Sequence, residues 1–361
     1  MFAYSIMKNR TRPFFKISIC KKYIIVIIAI ISCTGFSCFA QTFTNPLLPA
    51  GADPYSFYKD GYYYYTNTSG RKITLLKTKN LADLKTAEHK IIFTPPLNTN
   101  YSYELWAPEI MFLQGKWYAY FAADDGTNNH HRLYVLENAS QDPMQGEWVF
   151  KGKLADSSDK WAIDADVFQY KNQLYIAWSG WQGDVNGEQD IYIARMKNPY
   201  TIAGRRVRIS KPQYDWETKG DLHDANNPPH VNVNEGPQFL EHDGKLFIVY
   251  SASGCWTDAY ALGLLSFNGK DLLDSTAWHK YEKPVFKTSV KNNVYAPGHN
   301  SFFKSPDGKE DWILYHANNE SGEGCGGHRS PRMQKFIWNK DGTPYFGEPV
   351  KEGVALQIPS E

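Results

Sequence analysis

Five segments of this chain repeat one pattern: a short apolar strand, a tight polar turn and an aromatic-rich strand. That repetition constrains the fold more than any other feature. The segments read DPYSFYKDGYYYYT from Asp53, APEIMFLQGKWYAYF from Ala107, DADVFQYKNQLYIAWS from Asp164, EGPQFLEHDGKLFIVYS from Glu235 and HNSFFKSPDGKEDWILYH from His299. Their turn residues, Gly61, Gly115, Asn172, Gly244 and Gly308, stand 54, 57, 72 and 64 residues apart. Gly and Asn accept positive φ at little cost, so these are hairpin turns between alternating strands. Each interval has room for about four short strands, the content of one propeller blade. HRLYVLE (131–137), DIYIARM (190–196) and ALGLLSF (261–267) supply further strands, and no long apolar stripe of helical period follows residue 41. The pattern predicts an all-β fold, a five-bladed β-propeller in preference to a sandwich, as a single domain over residues 42–358.

Counting back from the turns locates the chemistry. Asp53, Ala107 and Asp164 each lie eight residues before their turn residue, and Glu235 and His299 nine before theirs. If the first strand of each repeat is innermost, these positions share one level around an axial channel. Three carboxyl groups and an imidazole then face a common cavity. Converging carboxylates costs stability unless function or a cation compensates. Glycosidic cleavage has a use for the arrangement: one carboxylate deprotonates water, one protonated carboxyl donates to the leaving oxygen, and a third raises the acid's pKa by repulsion. Taken singly, Asp-Pro at 53–54 reads equally as a turn starter and Asn-Glu-Gly-Pro at 234–237 as a loop entering a strand. Of Asp164 and Asp166, only one is expected to face the cavity.

The N-terminus carries a different signal. Lys8, Arg10, Arg12, Lys16, Lys21 and Lys22 precede the apolar run YIIVIIAII (23–31), with small and polar residues up to Ala40. Nine apolar residues are too few for a membrane span, which takes about 20. Residues 1–40 therefore read as an export signal cleaved after Ala40, which places the protein in the periplasm or outside the cell. Cys33, ending IISC, offers the alternative of a lipid anchor. Beyond the leader only Cys255 and Cys325 remain, each in a loop-like stretch, and the sequence leaves their pairing open. With 39 Lys+Arg against 38 Asp+Glu, nothing in the charge favours nucleic acid or an anionic membrane as partner. There is also no HExxH, paired CxxC or GxxxxGK[ST] motif.

ADPY (52–55), LWAPEI (105–110), AIDADVF (162–168), NEGP (234–237) and PGHNSFF (297–303) together resemble glycoside hydrolase family 43, in that family's order and across nearly the whole mature chain. The resemblance implies an inverting hydrolase with Asp53 as general base, Asp164 as the pKa-tuning and orienting aspartate, and Glu235 as general acid. It matches His299 to a histidine on the channel axis that often contacts a hydrated calcium, structural in role and not required for the chemistry. It also implies a sugar-holding arginine from the last blade, for which Arg332 is the first candidate and Arg329 the second. Trp106, beside Ala-Pro-Glu, is placed in the pocket as a stacking face, and Trp181 and Trp256 are further platforms or core plugs.

Within the family, ISKPQYDWE (209–217), SASGCW (251–256) and GGHRSPR (326–332) look most like exo-acting α-L-arabinofuranosidases. The long polar insertion between Asp215 and Val233 suits a wall closing one end of a cleft. The implied substrates are arabinan, arabinoxylan or related plant cell-wall glycans. β-Xylosidase and endo-arabinanase of the same family are the alternatives, and a non-catalytic sugar-binding propeller is the rival of another class.

Overall fold

The computed structural model describes residues 41–223 and 227–361; the leader assigned to residues 1–40 lies outside them. Four antiparallel strands follow one another in each of five blades. Blade 1 comprises Ala52–Lys59, Tyr62–Thr68, Ile73–Thr78 and Glu88–Phe93, and blade 2 Tyr103–Leu113, Lys116–Asp124, Arg132–Asn138 and Val149–Leu154. Blade 3 is Ala162–Tyr170, Gln173–Gly180, Glu188–Asn198 and Thr201–Ser210, and blade 4 Asn232–His242, Lys245–Ala252, Ala261–Phe267 and Trp278–Lys280. Blade 5 is Tyr295–Lys304, Asp311–Asn318, Ser330–Trp338 and Pro344–Tyr345. The first strand of every blade packs against the first strands of its two neighbours, and that of blade 5 packs on that of blade 1. The five predicted hairpins are thus the inner halves of the blades, and the ring is closed.

Strand faces between blades are apolar and aromatic. Trp117, Phe121, Trp178 and Tyr250 are among the buried side chains that fill the gaps, as β-branched and aromatic residues fit half-covered pleated surfaces. Closure is reinforced from both ends of the chain. Thr42–Phe43 pairs with Leu356–Gln357, Asn45 exchanges two 2.9 Å hydrogen bonds with the backbone of Met333, and the Gly51 N–H donates to Arg329 O at 2.9 Å. No helix among the described residues is long and apolar enough to cross a membrane.

Every inner strand carries a bulge at the same place. Pairing with the second strand breaks between Ala52 and Tyr55, Trp106 and Glu109, Ile163 and Asp166, Glu235 and Gln238, and Gly298 and Ser301. The first residue inside each bulge is left-handed: Asp53 (φ 57°), Ala107 (43°), Asp164 (58°), Gly236 (54°) and His299 (45°). Bulges bend a strand and re-aim its side chains, and they concentrate beside active sites. The blade 4 position belongs to Gly236, so Glu235 stands one residue earlier than the even register predicted. It is the counterpart of Trp106 and Ile163, whereas His299 stays in register because its hairpin has a six-residue turn (305–310) in place of two, which carries Gly308 farther along the chain.

Candidate active site

The bulges point a ring of side chains into one cavity of about 460 Å³, within the roughly 300–1,000 Å³ of small-ligand sites. Asp53, Asp164 and His299 reach it from bulge positions, and Trp106, Ile163 and Glu235 from the residues just before. The three predicted carboxyl residues therefore converge, although 182 positions separate Asp53 from Glu235 in the chain.

Four of the five blade junctions are stitched by the N–H of a bulge residue. Ala107 N–H donates to Thr68 Oγ1 (2.8 Å), Gly236 N–H to Asp164 Oδ2 (3.0 Å), His299 N–H to Ser251 Oγ (2.8 Å) and Asp53 N–H to His316 Nδ1 (3.0 Å). Thr68, Ser251 and His316 occupy matching sites on the second strands, paired with Ala52, Glu235 and Gly298. Having accepted from Ala107, the Thr68 hydroxyl directs its proton to Asp53 Oδ2 at 2.6 Å. Oδ1 of Asp53 faces Arg329 Nη1 at 3.3 Å and His299 Nδ1 at 3.3 Å. Burial would raise the Asp53 carboxyl, but His299, Arg329, His316 and the Thr68 hydrogen bond together hold it well below the usual carboxylate range. Burial also depresses both histidines, so at neutral pH the lasting support for the carboxylate is Arg329 and Thr68.

Glu235 has the opposite bias. Burial pushes its carboxyl up to about 7; Asp53 adds to the rise, and a 2.7 Å hydrogen bond from the Tyr260 hydroxyl to Oε1 pulls against it. The neighbouring Asn234 is fixed by Ser210 Oγ (2.7 Å), by Ser179 Oγ on its carbonyl (2.9 Å) and by its own amide donating to Glu217 (3.0 Å). Asp164 is raised well above the usual range by burial, then by Glu235 and Asp53, with the Gly236 N–H opposing. One carboxyl is held ionised and two are held toward the protonated form, within one cavity.

Gly298 is what lets Tyr260 reach Glu235, since a Cβ there would stand 2.1 Å from the tyrosine ring. Gly298→Ala is expected to push Tyr260 off Glu235 and move the titration of Glu235 upward from about 7. A pH–rate profile with an unchanged alkaline limb would refute this.

Several expectations are corrected. Trp181 is fully buried and stacks on Trp161 (4.7 Å between centroids, planes 8° apart), so Trp161 forms the wall and Trp181 its backing. Trp106 and Trp256 do line the cavity, and Trp106 lies flat on His131 at 4.0 Å, which fixes its face. Arg332 is also fully buried; its guanidinium bonds Asn319 Oδ1 away from the cavity, and Arg329 takes the position at Asp53. Asp164 and Asp166 do not face opposite ways, because the bulge at Asp164 interrupts the alternation of the strand and re-aims its side chain. Both lie beside buried Glu109, and Asp166, which does not line the cavity, accepts from Phe239 N–H at 2.7 Å. The Glu109–Gln238 hydrogen bond and the Asp166 carboxyl, pushed up to about 7 by burial, form a second polar level that the motifs did not reveal. Beside His299 the donor set is one imidazole and one carboxylate. Among the described residues no group of three or more His, Cys, Asp or Glu is arranged to hold a metal directly.

The profile of glycosyl hydrolases family 43 matches residues 43–344. The chain belongs to glycosyl hydrolase family 43. It is 42% identical over 323 residues to an extracellular exo-α-(1→5)-L-arabinofuranosidase of Streptomyces avermitilis, covering 87% of this chain and 65% of that protein. It thus spans just under two thirds of that relative's length. A second extracellular exo-α-(1→5)-L-arabinofuranosidase, from Streptomyces chartreusis, is 34% identical over 76% of this chain and 82% of its own. The crystal structure of an α-L-arabinofuranosidase from Lactobacillus brevis superposes with a TM-score of 0.79 at 37% identity, over 86% of this chain and 98% of the other.

In this family 43 member three of the loops at the rim of the cavity stand together. The predicted insertion contributes Leu222, Asn227 and Val231, and the Trp256 indole N–H hooks onto Asp221 O at 2.9 Å. Cys255 and Cys325 are joined, with Cα atoms 5.3 Å apart, and both line the cavity.

Proposed function

We propose that the protein is an inverting exo-α-L-arabinofuranosidase, releasing terminal arabinofuranosyl residues from plant cell-wall arabinan, arabinoxylan or related glycans. The observation that carries the reading is the opposite protonation bias of Asp53 and Glu235 on one cavity. Asp53, ionised and aimed by Thr68 and Arg329, takes a proton from water. Glu235, protonated and anchored through Oε1 by Tyr260, gives one to the departing glycosidic oxygen. Asp164, held against the Gly236 N–H, orients the sugar, while burial and the Asp53 charge keep Glu235 loaded. Trp106 supplies a flat apolar face to the ring, and the insertion with Trp256 closes one end of the site, which suits removal of one residue at a time. The relatives' names supply the choice of arabinose, and they support an exported location together with the leader at 1–40. Cys33 is the site of a lipid anchor if one is attached.

A product profile on arabinan, arabinoxylan and synthetic aryl glycosides tests the assignment, with NMR of the anomer first formed. Arabinose with inverted configuration supports it. Xylose from aryl β-xylosides would move it to β-xylosidase, oligosaccharides from linear arabinan to endo-arabinanase, and binding without hydrolysis to a sugar-binding propeller.

The pH dependence follows from the same groups. With Glu235 active when protonated, kcat/KM is expected to fall above about pH 7, while the acidic limb, set by Asp53, lies below the ordinary carboxylate range. A pH profile whose alkaline limb lies near 4.5 would remove Glu235 from the acid role.

A further inference from the structure

Two loops at the rim carry the groups that set the acid and the base. The first follows the second strand of blade 4 and holds Cys255, Trp256, Asp258 and Tyr260, the last bonded to Glu235 at 2.7 Å. The second follows the second strand of blade 5 and holds Glu323, Cys325 and Arg329, the last 3.3 Å from Asp53. Glycines at 322, 324, 326 and 327 leave this second loop little conformational preference of its own. Its start is turned by Glu323 Oε2, which accepts from the N–H groups of Asn319 (3.0 Å) and Glu320 (3.1 Å). Its end is held by Gly51 on the carbonyl of Arg329.

Between those anchors the loop is held by Asn318 of its own blade, whose side-chain amide donates to Gly324 O at 2.9 Å, and is tied across to blade 4. Asp258 accepts from Gly322 N–H at 3.0 Å and from the Ser321 hydroxyl, and the disulfide joins Cys325 to Cys255. The Arg329 Nε–H points at the carbonyl of Gly326, the residue next to the bonded cysteine, at 3.5 Å. Moving Cys325 therefore moves the group that aims the guanidinium. Moving Cys255 shifts Trp256 and, four residues on from it, Tyr260.

We propose that the Cys255–Cys325 disulfide is a positioning element of the catalytic site, locking the loop that aims Tyr260 at Glu235 to the loop that aims Arg329 at Asp53. The proposal rests on the roles assigned above to Asp53 and Glu235. Both sulfur-bearing residues line the cavity, so the bond is open to a small reductant and is shielded by whatever occupies the site. Asp53 faces Arg329 and Thr68 as stabilising partners, His299 and His316 as rings neutral at pH 7, and Asp164 and Glu235 as opposing carboxyls. Glu235 faces Tyr260, Asp53, Asp164 and Arg329. Loss of Arg329 removes the permanent cation that both carboxyls see. Loss of Tyr260 removes the hydrogen bond that restrains Glu235, so both limbs of the pH profile move upward.

The test compares the purified oxidised protein, the same protein treated with dithiothreitol, and the Cys255→Ala/Cys325→Ala double variant. Dithiothreitol delivers two electrons and two protons, leaving two thiols as it closes to its own cyclic disulfide. kcat/KM against pH is measured on whichever aryl pentoside the oxidised protein cleaves, and the double variant is crystallised. The expected result is an acidic limb about one unit higher, read as roughly a tenfold lower kcat/KM at acidic pH. In the crystal, Arg329 should lie beyond about 4 Å from Asp53, and 100 mM L-arabinose (roughly) should slow the appearance of thiols. An unchanged pH profile, with Arg329 still on Asp53 and only a lower melting temperature, overturns the proposal and leaves the bond a structural staple. If the oxidised protein cleaves no aryl pentoside, the hydrolase reading fails, and the crystal comparison still decides what the disulfide holds.

Discussion

Glu235→Gln is expected to lower kcat/KM on arabino-oligosaccharides by about 10³-fold, and by about tenfold or less on an aryl glycoside with a strongly acidic phenol as leaving group. General acid catalysis is worth roughly 10²–10⁴ when the departing oxygen needs a proton and little when it does not; 10³ corresponds to about 4 kcal/mol of transition-state stabilisation. The amide keeps the shape of the side chain and can still accept from Tyr260, so substrate affinity should hold. The alkaline limb near pH 7 should vanish with the group that titrates there. Equal losses on good and poor leaving groups would show that Glu235 does something other than donate a proton.

Asp53→Asn is expected to lower kcat by about 10⁴-fold, at the upper end for a base, and to do so regardless of leaving group. Asparagine tolerates the left-handed backbone that position 53 requires, with φ at 57°. Its carbonyl oxygen can still accept from Thr68 or Arg329, so the ring should close as before. The part-exposed guanidinium of Arg329 would lose its ionised partner at 3.3 Å, and a drop in stability on the order of 1 kcal/mol is expected from that alone. Melting curves and L-arabinose binding alongside the kinetics separate the effects. A variant with kcat within tenfold of the parent would rule out Asp53 as base.

The propeller was legible because hairpin turns are local chemistry: Gly61, Gly115, Asn172, Gly244 and Gly308 announce themselves at any distance from the site. The three carboxyl residues were legible because their distance from those turns is nearly constant. The bulges were not, since a left-handed Ala107 or His299 breaks residue preference and gives no compositional sign. That is why Glu235 was placed one step out of register. Trp181 and Arg332 were misplaced for a different reason. Burial depends on what stacks above, and neither the Trp161 ring over Trp181 nor Asn319 beside Arg332 can be read from the neighbouring sequence. Tyr260 carried no local signal at all. Thr68 did carry one: with Ser179, Ser251 and His316 it belongs to a series of polar residues seven or eight positions after each turn, broken only at Ala122, which pairs with the register of Trp106.

The five left-handed positions separate where a side chain is aimed from which side chain is aimed. Each non-glycine residue there carries a conformational penalty of about 1–2 kcal/mol, and Ala107 bears it without contributing any functional group to the cavity. The penalty therefore attaches to the scaffold and not to the chemistry, and the sockets at 53, 107, 164, 236 and 299 are geometrically alike while holding an acid, a methyl, an acid, a hydrogen and an imidazole. A residue exchanged at 107 would meet a backbone that is already left-handed, so the fold and not the side chain would carry that cost.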